Sequence, residues 1–207
     1  MAYFLDFEAS SILPGSFPIE VAWVDQDGRG ETCLIRPAPG WLSPSRWQWD
    51  PVSASIHGIT LGVLEHEGED ARMVARRLAE AVGGVPVYSD APSYDGHWLA
   101  MLLDQGGMEG AVSLSNVRDA YGMACLPLFE RLPKSEGIMK SARWAMETMR
   151  MRQVVSAAED EEAERPRVHR ALPDAMALWR TWRDIQDRVA VIVGREGTGC
   201  STHPHRH

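Results

Sequence analysis

The chain is short of cysteine, of long apolar runs and of positive charge, and each shortage removes a class of protein. Its three cysteines, Cys33, Cys125 and Cys200, are odd in number and far apart. They form neither a disulfide framework nor a zinc-ligand pattern, so a reducing cytoplasm is the expected location. No apolar run approaches the roughly 18–20 residues that cross a bilayer. The first residues hold no basic stretch leading into an apolar one, so neither a membrane segment nor a secretory signal is expected. A formal net charge of −8 argues against a protein that coats nucleic acid through bulk positive charge. It leaves room for an enzyme acting on nucleic acid. Carboxylates gathered around cations count as negative in that sum, while the bound ions reverse the local sign.

What is present is ordinary for a globular protein. The 207 residues, 44% hydrophobic and 24% charged, suffice for one substantial core. The expectation is a single domain over residues 1–193, followed by a Gly-, Ser- and His-rich tail, 194–207, that is expected to be disordered. Residues 3–9, 17–24 and 31–36 read as strands, the last two joined at the turn signal Asp27-Gly28. In the second strand Ile19, Val21 and Trp23 alternate with Glu20 and Ala22. Residues 37–51 form a Pro- and Trp-rich connection, and 52–57 a helical turn stopped by Gly58. Helical spacing follows over 70–82, then a short apolar strand over 85–88, a helix over 94–103 and a fifth strand at 112–114. Residues 136–164 form a basic, Met-rich helical segment (Lys140, Arg143, Arg150, Arg152) that ends in an acidic run, and 172–193 form the last helix. Strands and helices in this order predict an α/β domain: a mixed five-stranded sheet, its first three strands antiparallel, flanked by helices.

The stretch Tyr3–Ala9 carries the first chemistry. Strand side chains alternate, so Asp6 and Glu8 share a face while Leu5 and Phe7 take the other. Adjacent acids repel unless one keeps a proton or a cation sits between them. A hard divalent ion held by oxygen ligands is one resolution, and a solvated strand face is the other. Further acids lie after the fourth strand, Asp90 and Asp95, where α/β sheets place ligands. Either could equally cap the following helix. Late in the chain, His169-Arg170-Ala171-Leu172-Pro173-Asp174 sets a histidine five residues before an acid at a helix start. There Asp174 could simply answer the helix dipole.

Together, Asp6, Glu8, Asp95 and Asp174, with His169 in a His-x-Ala-x-x-Asp motif, resemble the DEDD superfamily of 3′–5′ exonucleases, specifically its DEDDh branch. That branch includes proofreading subunits of DNA polymerases, oligoribonuclease and RNase T. Ile56-His57-Gly58-Ile59-Thr60 is similar to the segment that precedes the family's first helix, and the resemblance spans roughly residues 3–190. It implies an RNase H-like fold and a metal-dependent 3′–5′ exonuclease using two divalent ions, Mg²⁺ or Mn²⁺. Asp6 would bridge the ions, and Glu8 and Asp174 would complete the site beside the attacking water. Asp95 would support the site, and His169 would take the proton from that water. Asp90 would be a supplementary acid. The partner implied is the 3′ end of a single-stranded nucleic acid, and because many members dimerise a homodimer is also implied.

The chain departs from the family's motifs in two places. Ala9-Ser10-Ser11 replaces the usual Thr-Gly beside the terminal nucleotide, which leaves substrate preference open. Ser93 and Asp90 occupy the region where an Asn often precedes the second-motif Asp. Candidates for the substrate wall are Ala9, Ser10, Ile12, His57, Tyr94 and Trp98, with Arg170 beside the third motif as a phosphate contact. The competing readings are an RNase H-like endonuclease and a catalytically inactive domain that only binds nucleic acid.

Overall fold

The computed structural model describes residues 1–42, 49–132 and 138–198. Its elements are β1 (Tyr3–Ala9), β2 (Pro18–Asp25), β3 (Gly30–Arg36), α1 (Pro51–His57), α2 (Leu61–Glu67), β4 (Glu69–Asp70), α3 (Ala71–Val82), β5 (Val87–Ser89), α4 (Pro92–Gly106), β6 (Leu114–Asn116), α5 (Val117–Ala124), α6 (Leu126–Glu130), α7 (Ile138–Ala163) and α8 (Ala171–Thr198). The six strands lie in the order β4-β3-β2-β1-β5-β6. β1–β2 and β2–β3 are antiparallel, while β5 runs parallel to both β1 and β6. This is the expected mixed sheet with its first three strands antiparallel. A two-residue edge strand, β4, is added parallel to β3. Two residues carry no periodicity, so nothing in the sequence announces it.

The chain divides into two compact units, Met1–Val117 with Pro166–Trp179 and Arg118–Arg165 with Arg180–His207. In the first, one face of the sheet carries Leu5, Phe7, Ile19, Val21, Trp23, Cys33 and Ile35. These pack in a core with Val74 and Leu78 of α3 and Leu99 and Leu102 of α4. Burying such side chains contributes about 1.5–3 kcal/mol each. The ends of these elements are set by local chemistry. Asp50 caps α1 by accepting from the N–H groups of Val52 and Ser53, and Pro51 starts the helix where no N–H is needed. In the β2–β3 turn, Asp25 Oδ1 accepts from the N–H groups of Asp27 and Arg29, both at 2.9 Å. Gly28 adopts φ +82° there, and a Cβ on it would meet Trp179 Cζ2 at 2.6 Å. Trp179 reaches that turn from α8 and donates from Nε1 to the Gln26 carbonyl at 3.1 Å.

Several boundaries move from their predicted places. The strand expected over 85–88 lies at 87–89, because the Val85 N–H still turns back to the Val82 carbonyl and Pro86 has no N–H to offer. α2 has no counterpart in the prediction, since Gly62 interrupts its apolar pattern; Thr60 caps it by accepting from the Val63 N–H at 3.3 Å. α5 and α6 are likewise additions, short and interrupted by Gly122 and Pro127. α8 runs to Thr198, beyond the predicted end at Val193, and the remainder of the tail lies outside the described residues, as does Trp47 of the 37–51 connection. The side chain of Lys140 is also outside them.

In the second unit, Arg180 of α8 turns its Nε onto both carboxylate oxygens of Glu162 at 3.1 and 3.0 Å. Arg188 bridges Asp184 at 2.7 Å and Glu161 at 2.6 Å. The acidic run at the end of α7 is therefore paired in part within its own unit. Among the described residues no helix is long and apolar enough to cross a membrane. Cys33 and Cys125 are free and buried.

Candidate metal-binding active site

The sheet order pairs the first residues of β1 with β5 in parallel, Tyr3 opposite Val87 and Phe4 opposite Tyr88. The acids collect beyond that pairing. Asp6 and Glu8 project from β1 on the face opposite the Leu5–Phe7 core, and Asp90 follows the end of β5. Asp95 lies in the first turn of α4, and Asp174 in the first turn of α8. Asp95 is not the cap of its helix. That position belongs to Ala91, whose carbonyl accepts from the Asp95 N–H at 3.0 Å. Its carboxylate is 2% exposed and takes a short hydrogen bond from the Ser89 hydroxyl.

Two triads result, and they share one residue. A carboxylate oxygen from each of Asp6, Glu8 and Asp174 lies within 4.8 Å of the other two, and the same holds for Asp6, Asp90 and Asp95. The electrostatics follow from this crowding. Burial first, then the charges of Asp95, Asp174, Glu8 and Asp90, hold the Asp6 carboxyl well above the usual carboxylate range. Glu8 is pushed up to about 7, mainly by burial and then by Asp174 and Glu20. Asp95 is also pushed up to about 7, by burial, against the lowering effect of its bond from Ser89. Asp174 is raised by burial, with His169 and Arg167 acting in the opposite direction. Carboxyls that resist ionisation because they are buried and crowded together are the groups that a bound divalent cation would satisfy. All five donors are hard oxygens suited to Mg²⁺ or Mn²⁺.

His169 is exposed in the irregular segment just before α8, close enough to Asp174 to act on its charge. The remaining predicted residues divide. Ile12 is 69% exposed and Tyr94 52%, so both offer apolar surface. Trp98 does not: it is buried in the core, its ring edge-on to Phe7 at 6.4 Å and its Nε1 donating to Ser16 Oγ at 3.0 Å. Ala9 is buried, and Ser10 is buried with its hydroxyl accepting from the Phe17 N–H at 3.1 Å. Both positions hold the β1–β2 connection instead of presenting a surface. His57 is buried; its Nδ1 accepts from the Ile59 N–H at 3.0 Å, and its Nε2 has no partner among the described residues.

Arg170 departs from its predicted role as a phosphate contact. Its guanidinium turns inward onto Glu20, with Nε 2.8 Å from Oε2 and Nη2 2.5 Å from Oε1. Alternation along the second strand presents Glu20 as no more than the polar half of its pattern. In the structure it is 2% exposed and stands opposite Glu8 in the β1–β2 ladder. The signal was available: Ala22 and Val24 share its parity, so that face is apolar and a lone acid on it needs a partner.

No family model matches the chain, and no curated protein matches it in sequence. Solved structures match it in fold. Against the zinc-bound form of the Escherichia coli exonuclease I–single-stranded DNA complex the TM-score is 0.57 at 16% identity, covering 95% of this chain and 42% of the other. An apo exonuclease I gives 0.57 at 17% identity, covering 95% and 44%. A moderately thermophilic exonuclease I from Methylocaldum szegediense gives 0.56 at 16% identity, covering 95% and 42%. At these identities the likeness is one of fold, and the chain spans less than half the length of each structure.

Proposed function

We propose that the chain is a metal-dependent 3′–5′ exonuclease of the DEDDh type. It would hydrolyse the last phosphodiester bond of a single-stranded DNA or RNA and release nucleoside 5′-monophosphates. The observation that carries this reading is the pair of acid triads meeting at Asp6. Asp6, Glu8 and Asp174 would hold one divalent cation, and Asp6, Asp90 and Asp95 a second. Two such ions, when bound, supply Lewis-acid activation of water and stabilisation of charge on the leaving 3′-oxygen. The protein supplies the rest. Asp6, common to both triads, would be a ligand at each site. His169 accepts the proton of the attacking water at a ring nitrogen, the general-base role that imidazole most often fills. Ile12 and Tyr94 offer exposed apolar surface on which a terminal base can rest without its identity being read. The fold shared with exonuclease I, solved in complex with single-stranded DNA, supports single-stranded DNA as the first substrate to test.

The test is an end-labelled single-stranded DNA and an RNA of matched sequence, in several lengths, incubated with Mg²⁺ or Mn²⁺ and with chelator. A ladder shortening from the 3′ end in the presence of metal is the expected outcome. Cleavage of a substrate blocked at both ends would replace the reading with an endonuclease. Activity that persists in chelator would overturn the metal site. No metal-stimulated hydrolysis of either polymer would leave a binding domain.

A further inference from the structure

We infer that Glu20 and Arg170 form a positioning pair that sets the third-motif residues, His169 and Asp174, against Glu8; this rests on the proposed nuclease reading of the site. Glu20 receives three strong donors on two oxygens. Arg170 gives two of them, and the third is the backbone N–H of Ala171, 3.1 Å from Oε2. Thr32 Oγ1 adds a longer contact at 3.4 Å. A single carboxylate on β2 therefore holds both the side chain of residue 170 and the next peptide N–H, which is the first of α8. Helix starts leave N–H groups without partners inside the helix, and here a residue distant in sequence satisfies one.

The consequence lies in what flanks residue 170. His169 precedes it directly, and the first helical hydrogen bond closes from the Asp174 N–H to the Arg170 carbonyl at 3.1 Å. Both groups are thus tied to one fixed peptide. Glu20, which fixes it, is the ladder partner of Glu8. The spacing between the first and third motifs is therefore set through the two-residue link Glu8–Glu20 across the sheet and Glu20–Arg170 to the helix. The two-pronged fit of Arg170 to Glu20 fixes the orientation of its guanidinium, and with it the residue between His169 and the first turn of α8.

The pair is tested in the full chain with Arg170→Lys, Arg170→Ala and the double variant Glu20→Leu/Arg170→Met. The double variant replaces a half-buried ion pair, its Glu20 2% exposed and its Arg170 39%, with apolar groups, which removes the uncompensated charge that either single variant would leave. If the pair positions the site, the double variant keeps its thermal stability while kcat on end-labelled single-stranded DNA stays roughly 10–100-fold low, the range for outer partners of a metal site, with KM unchanged. Recovery of kcat together with stability would reduce the pair to a structural role and overturn the inference. A raised KM with unchanged kcat in Arg170→Lys would also overturn it, in favour of a phosphate contact. Two readouts do not depend on hydrolysis. Arg170→Ala should accelerate amide exchange at Ala171 and Asp174 relative to the rest of α8, and Arg170→Lys should weaken Mn²⁺ binding in calorimetry without substrate. Unchanged exchange at Ala171 sinks the pair even if the protein proves not to be a nuclease. Failure of the wild-type protein to hydrolyse, with exchange altered as expected, would overturn the nuclease reading and with it the catalytic purpose of the pair, leaving only its hold on α8.

Discussion

The hydroxyl of Ser89 donates to Oδ2 of Asp95 and accepts from the backbone N–H of Ala91. One buried side chain thereby orients a candidate metal ligand and fixes the turn that leads into α4. The bond also lowers the pKa of Asp95, against the burial that pushes it up to about 7. Ser89→Ala removes that opposing effect, so Asp95 holds its proton to higher pH. Ligation needs the ionised form. Mn²⁺ affinity measured by calorimetry at pH 7 should fall several-fold, and the loss should shrink at pH 9, where Asp95 ionises in both proteins. A deficit independent of pH would mean that Ser89 acts by geometry alone.

The crowded carboxylates also set how stability depends on pH. In an unfolded chain Glu8 and Asp95 titrate at about 4. In the folded, metal-free protein both are pushed up to about 7. The folded state therefore binds more protons in this window, and its stability is lost as pH rises from about 4.5 through 7. Melting temperature in chelator should decline across that range. Millimolar Mg²⁺ should raise the melting temperature most at the alkaline end, because binding displaces the protons. A metal-free protein whose stability rises over the same interval would contradict the assignment of these shifts.

How far the sequence could be read depended on the range of the interactions. Asp6 and Glu8 shared a face by strand alternation, and the stop at Gly58 followed from local backbone chemistry. Those features involve residues a few positions apart. Glu20 was missed because its partner is 150 positions away. Alternation along β2 suggested one solvated face, whereas the structure buries almost every residue of that strand. The same limit applied to Trp98. Its place between Phe7 and Tyr94 is a tertiary fact, and an aromatic near a motif reads equally as wall or as core until the neighbours are known. Asp90 shows the converse: only the fold brings its carboxylate within 4.8 Å of Asp6 and Asp95.

Asp6 is the residue whose replacement should separate function from stability. It is shared by both triads, and its carboxyl is disfavoured by burial and by four neighbouring acids. Asp6→Asn keeps the shape and removes the charge. Hydrolysis should be abolished, while the melting temperature in chelator at pH 8 should equal or exceed that of the wild type. The rise on adding Mg²⁺ should also disappear. Full activity in this variant would remove the basis for the two-site arrangement.

The seat of α8 offers a structural route to the same site. A Cβ at Gly30 would lie 2.5 Å from Leu172 Cδ1 and 3.4 Å from Val24. Leu172 stands two residues before Asp174, so a shift of its backbone would carry that acid with it. Gly30→Ala should cost about 1–3 kcal/mol, the usual range for overpacking, and should lower kcat as the first turn of α8 moves from β1. Leu172→Ala opens the space that the new methyl needs. In the double variant Gly30→Ala/Leu172→Ala the effects should therefore be less than additive, in both denaturant midpoint and kcat. Strict additivity would show that the helix start is not seated on Gly30, and that its position is set elsewhere along α8.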